Sequence, residues 1–116
     1  MDFKSLYQQI SDFIPNTDQE FADKKIFISL MEKYPDTILT RKNPVAHLTG
    51  SGFIFNPHRD QCLMVFHNLY RSWSWSGGHA DGCSDLLSVA IREAEEETGI
   101  KNLKPILYPH LWIFNF

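Results

Sequence analysis

Cysteine is scarce in this 116-residue chain: there are two, Cys62 and Cys83, at a spacing that fits no zinc or redox motif. A disulfide framework or a cysteine-held metal is therefore no organising feature, and reduced thiols in a cytoplasm are the expected state. Net positive charge is also lacking. Eleven Lys and Arg stand against fourteen Asp and Glu, a formal charge of −3, which argues against a general nucleic-acid or anionic-membrane partner. No apolar run approaches the roughly 20 residues a membrane-spanning helix needs, and the N-terminus reads as an amphipathic segment rather than a secretory signal. Internal repeats and low-complexity tracts are missing too. What remains has the composition of one globular domain, 43% hydrophobic and 14% aromatic, with enough length for a modest core.

What the chain does have is concentrated in residues 77–100, GGHADGCSDLLSVAIREAEEETGI. Leu87, Ala90, Ile91 and Ala94 recur at helical spacing and predict one apolar stripe. Ser84 or Asp85 can cap the start of that helix, and Gly99 stands where a left-handed residue ends it. The acidic end is harder to account for as scaffold. Glu93, Glu96 and Glu97 fall on one side of the helix, and like charges at those spacings cost about 0.2–0.5 kcal/mol per pair. They also sit in the last turn, where the helix dipole disfavours negative charge. Arg92 can pair with Glu96 four residues on, yet one arginine does not neutralise the four glutamates of the EAEEE run. A solvated acidic face is one reading. A hard divalent cation is the other, because magnesium takes oxygen ligands from a few carboxylates and from substrate phosphates. Gly77 and Gly78 ahead of the helix can bring bare backbone close to the same ion.

The loop and helix together resemble the Nudix box: Gly, five residues, Glu, seven residues, then Arg-Glu-apolar-any-Glu-Glu-any-Gly-apolar. Here the pattern runs from Gly78 through Arg92, Glu93, Ala94, Glu96, Glu97 and Gly99 to Ile100. It departs at the first glutamate, which falls on Ser84 beside Asp85. The aromatic stretch before the glycines is also similar to the family's, although proline is common where this chain has Ser76. The resemblance implies an α/β fold, an α/β/α sandwich around a mixed β-sheet. It implies a Mg2+-dependent (or Mn2+-dependent) hydrolase of a diphosphate linkage, in a nucleoside diphosphate-X or related small molecule. Glu93, Glu96 and Glu97 would bind metal with Gly78. Glu96 or Glu97 would orient or deprotonate water, and Arg92 would position the glutamates. Gly77 and His79 would meet the substrate, His79 either touching a phosphate or holding the loop by hydrogen bonding. The alternative is a Nudix-like module that binds a nucleotide or a protein without turnover.

The rest reads as scaffold. Residues 1–44 are expected to be a helical extension and 45–116 the Nudix-like domain, together one folding unit. Phe3, Leu6, Tyr7, Ile10, Phe13 and Ile14 share a helical face that Pro15 ends. Thr17 with Glu20 is a capping-box signature for a second helix running to near Tyr34, with Phe27, Leu30, Met31 and Tyr34 for packing. A hairpin is expected from residues 48–55 and 62–67, joined by Asn56-Pro57-His58-Arg59-Asp60, with CLMVFH as a buried central strand. His47 and His67 flank strands and read as structural, and Asp81 as a turn residue. Trp73 and Trp75 are expected to divide between the core and the opposite face, where one could stack on a base. Residues 103–108 and 111–116 suggest two last strands. An apolar terminal strand is an exposed-edge liability, so the domain reads either as covered in a dimer or as cut short at its C-terminus.

Overall fold

A computed structural model describes residues 1–106. These residues form three α-helices and six short strands, an α/β chain as the sequence predicts. They divide into two compact units. One takes Met1–Leu48 with His79–Asp85, and the other takes Thr49–Gly78 with the chain from Leu86 onward.

In the first unit, α1 (Phe3–Asp12) begins at Asp2, whose carboxylate accepts the Ser5 backbone N–H at 2.8 Å. That bond holds the Asp2 carboxyl below its ordinary range. Leu6 and Ile10 are buried, and Phe13 just past the helix is buried with them. The helix ends at Asp12 and Phe13 is already extended, because residues close ahead of a proline are pushed out of helical geometry. Leaving the helix early breaks the expected periodicity, and Ile14 is 64% exposed instead of buried. The Lys24 ammonium donates to the Ser11 and Phe13 carbonyls at 2.7 Å each, satisfying acceptors at this helix end. Lys24 belongs to α2 (Asp18–Lys33), which starts as expected: the Thr17 hydroxyl accepts the Glu20 N–H at 3.1 Å, and Glu20 reaches back to the Asn16 N–H at 2.6 Å. Phe27 and Met31 are its buried positions. Tyr7 of α1 donates to Glu32 of α2 at 2.6 Å, which raises the tyrosine pKa above its ordinary 10.0.

The segment after α2 is irregular but ordered by one side chain. Buried Asn43 donates to the Thr37 hydroxyl at 3.1 Å and accepts the Val45 and Ala46 N–H groups at 2.9 and 3.2 Å. Fully buried Ile38 sits inside this turn. The returning loop His79–Asp85 joins the same unit through three links. The Ala80 N–H donates to the Leu48 carbonyl at 3.3 Å, the Gly82 N–H donates to Leu39 at 2.8 Å, and Arg41 pairs with Asp81 through two 2.9 Å contacts. Asp81, at φ +48°, is thus the expected turn residue.

In the second unit, the strands pair two by two: β1 (Thr49–Gly52) with β6 (Ser76–His79, whose last residue enters the first unit), β2 (Ile54–Phe55) with β3 (Cys62–Leu63), and β4 (Val65–His67) with β5 (Ser72–Ser74). The predicted hairpin of 48–55 with 62–67 is present only in its inner part, since β1 pairs with β6 and β4 with β5 instead. Ile54 faces Leu63 and Phe55 faces Cys62, with the Asn56 side chain accepting the Asp60 and Gln61 N–H groups at 3.1 Å. The 62–67 run is not one buried strand, however. It breaks between β3 and β4, and Leu63, Phe66 and His67 are exposed. A continuous apolar run suits a strand covered on both faces, and no second covering layer forms among the described residues. Trp73 and Trp75 are likewise both exposed, at 67% and 36%. Residues two apart along a strand share a face, so the expected division between core and surface does not arise. His67 packs on Tyr70 in the β4–β5 turn and accepts its N–H at 3.4 Å, a structural role.

The helix α3 (Leu86–Thr98) packs on β1. Its buried positions are Leu86, Val89 and Ala94, so of the expected Leu87, Ala90, Ile91 and Ala94 only Ala94 is buried and the stripe's first half is rotated. Gly50 explains the rotation: a Cβ there would stand 2.8 Å from the Leu86 carbonyl and 3.0 Å from Val89. Only a side chain-free strand position lets the helix backbone approach so closely. Gly99, at φ +74°, ends the helix with its N–H on the Glu95 carbonyl at 2.9 Å, as predicted. No helix among the described residues is long and apolar enough to cross a membrane. Residues 103–106 are irregular, and the rest of the two expected terminal strands lies outside the described residues.

Candidate functional site

The close seating of α3 also decides which acidic side chains meet the glycine loop. Along the helix, Glu93 follows Val89 by four residues and Glu97 follows Glu93 by four, so the row that starts at the buried contact ends at two carboxylates. Glu93 is half-buried and lies against Gly78 of β6, where a Cβ would stand 2.5 Å from Oε2. The position is open to the carboxylate only because it carries no side chain. One residue back, the Gly77 N–H donates to Glu97 Oε1 at 3.4 Å. Two glutamates of the predicted set are therefore gathered over the Gly77–Gly78 backbone.

The other predicted residues divide. Arg92 Nη2 pairs with Glu93 Oε1 at 3.4 Å. It supports Glu93 as a positioning cation would, although the ion pair is to the adjacent glutamate and not the Glu96 contact expected. Glu96 is exposed. Among the described residues, no three His, Cys, Asp or Glu side chains stand together closely enough to hold a metal ion between them. Two carboxylates beside open backbone still fit magnesium, which keeps several waters and takes one or two carboxylates together with substrate phosphates.

His79 is half-buried beside His47. Its Nδ1 is 2.9 Å from His47 Nε2, a hydrogen bond in which one ring donates and the other accepts. Ser84, at the box position where a glutamate is expected, is buried and donates its hydroxyl proton to the Met1 carbonyl. Both cysteines are free thiols, Cys62 exposed and Cys83 half-buried.

One residue at this site escapes the sequence reading. Ser76, the first residue of β6, is 2% exposed, and its Oγ has no hydrogen-bond partner among the described residues. The signal available beforehand was its place, immediately ahead of Gly77 and Gly78.

No protein-family model matches the chain, and no curated protein compared with it matches in sequence. The likeness to the Nudix box thus stands on the residues of the box alone.

Proposed function

We propose that this chain is a Mg2+-dependent hydrolase of Nudix type, cleaving a diphosphate linkage in a nucleoside diphosphate-X or related small molecule. The observation that carries the reading is the pair Glu93 and Glu97 brought onto the Gly77–Gly78 backbone by a helix that only a glycine strand admits. A scattered acidic face would have no reason to keep its carboxylates at a side chain-free position. The fold proposed is the α/β/α sandwich of that family, of which the α3–β1–β6 layer is one part.

Glu93 and Glu97 would hold the cation, with the Gly78 carbonyl as a further oxygen. A bound magnesium would neutralise charge on the phosphates and make a bound water more acidic. Arg92 keeps Glu93 in place through its ion pair. Glu96 and Glu97 both stay exposed, and either can accept the proton of the attacking water. The water oxygen then bonds to phosphorus, the bridging P–O bond breaks, and its electron pair leaves with the other phosphate.

The test is product release from a panel of nucleoside diphosphate compounds in magnesium, manganese or EDTA, with Glu96→Gln and Glu93→Gln variants. Metal-dependent turnover lost in the variants is the expected result. Nucleotide affinity without turnover, from folded protein, selects the alternative of a binding module. Absence of both removes the metal site from the reading.

A further inference from the structure

A buried hydroxyl without a partner is an unusual thing for a folded chain to retain, because leaving it unpaired costs about 1–3 kcal/mol. Ser76 is such a group: it is 2% exposed and its Oγ is unpartnered among the described residues. A serine-to-alanine change would remove the penalty at no cost in shape. The hydroxyl is best explained by a state of the site in which it has a partner.

Its surroundings name that partner. Ser76 and Gly78 are two apart on β6, so the Ser76 side chain points to the same face as the missing side chain of Gly78. That face is the one Glu93 covers. The amide that follows Ser76, Gly77 N–H, is the group that Glu97 Oε1 engages, at a long 3.4 Å. Ser76 thus shares a strand face with the position Glu93 covers and directly precedes the amide that Glu97 approaches, which makes the Glu97 carboxylate the acceptor at hand for its hydroxyl. A hydroxyl proton beside a carboxylate that must stay ionised is a strong positioning device, since a charge-assisted hydrogen bond is about twice as strong as a neutral one.

We propose that Ser76 is a positioning residue of the acidic site, its hydroxyl donating to the Glu97 carboxylate when a divalent cation is bound. This rests on the metal-site reading above and adds to it the residue that fixes Glu97. The bond would be made when the cation is bound.

The experiment is Mn2+ binding to the full chain, measured by electron paramagnetic resonance of the free ion, together with melting in EDTA. Ser76→Ala is expected to weaken Mn2+ affinity about tenfold, the loss of one hydrogen bond to a charged group. In EDTA the same variant should melt no lower than the parent, because it loses no bond there. A merely structural serine would lower the melting point and leave affinity alone. Ser76→Thr restores a hydroxyl and should recover most of the affinity. Should threonine overpack the site, a double-mutant cycle replaces it: Ser76→Ala placed on Glu97→Gln should add less than twofold, since the acceptor charge is gone. Parent protein that binds Mn2+ with Ser76→Ala binding equally well overturns this proposal and spares the metal site. Parent protein that takes up no Mn2+ overturns both.

Discussion

Two glycines on neighbouring strands separate what the fold needs from what the site needs. A methyl group at Gly50 would meet the Leu86 carbonyl at 2.8 Å and the Ala90 N at 3.1 Å, and neither backbone atom can turn aside. Gly50→Ala should therefore lift α3 from β1 and destabilise the chain by about 1–3 kcal/mol, the range of overpacking. A methyl group at Gly78 would meet only the distal atoms of Glu93, a flexible side chain. Gly78→Ala should lower stability by no more than about 1 kcal/mol, yet displace the carboxylate and abolish the metal-dependent turnover proposed above. Urea midpoints and turnover measured on both variants check the contrast. Equal destabilisation by the two would mean that Glu93 is as rigid as the backbone. Tyr7 offers a second residue-level check. Hydrogen bonding to Glu32 raises its pKa above 10.0, so the folded state favours the protonated phenol. Its contribution is fully present below about pH 10 and is lost as pH rises through the folded value. Above about pH 10 the parent should thus lose stability more steeply with rising pH than Tyr7→Phe, by denaturant titration at each pH.

At the scale of elements, α1 and α2 are tied by Lys24, whose ammonium reaches from α2 to two carbonyls at the end of α1. Lys24→Met keeps the aliphatic stem and removes both bonds, and should cost about 2 kcal/mol in chemical denaturation. The neighbouring Lys25→Met, which removes only an exposed contact 5.0 Å over the Phe21 ring, should cost no more than about 1 kcal/mol. The comparison also shows which features a sequence makes visible. The Thr17–Glu20 cap, the Gly99 stop and the Asn56–Asp60 turn are local chemistry, and each is where its residues put it. The α3 stripe was only partly legible, because Leu86 and Val89 interleave with Leu87, Ala90 and Ile91 at equally helical spacings, and Ala94 suits both sets. The choice between the two sets belongs to Gly50, thirty-six residues before Leu86, on a strand whose TGSG sequence has little strand propensity. Residues 62–67 failed for a related reason, since burial of an apolar run depends on what covers it. At the site, the spacing of Glu93 and Glu97 carried the reading, whereas the lone hydroxyl of Ser76 becomes meaningful only when its burial is known.

At the scale of the whole molecule, exposed aromatics are distributed unevenly between the two units. The first buries Leu6, Ile10, Phe13, Phe27, Met31, Ile38 and Leu48, and exposes Met1, Ile14, Phe21, Ile26 and Val45, which are aliphatic but for Phe21. The second leaves Phe53, Phe55, Leu63, Phe66, Trp73 and Trp75 exposed. The exposed aromatics are paired rather than scattered: Phe66 and Trp73 face each other across β4 and β5 with ring centroids 5.4 Å apart, and Phe53 lies 5.6 Å from Trp75. Two-stranded pairs of this length are marginal alone, and each keeps unpaired edges. Contiguous apolar surface together with open edges drives association. The 116-residue chain should therefore bind a hydrophobic dye and sediment as larger species with rising concentration. Phe66→Thr with Trp73→Thr, both strand-compatible residues in an exposed cross-strand pair, should reduce both effects while helical circular dichroism stays unchanged. If the double variant binds dye and associates like the parent, the β4–β5 pair is not the adhesive surface, and the Phe53–Trp75 pair is the next to substitute.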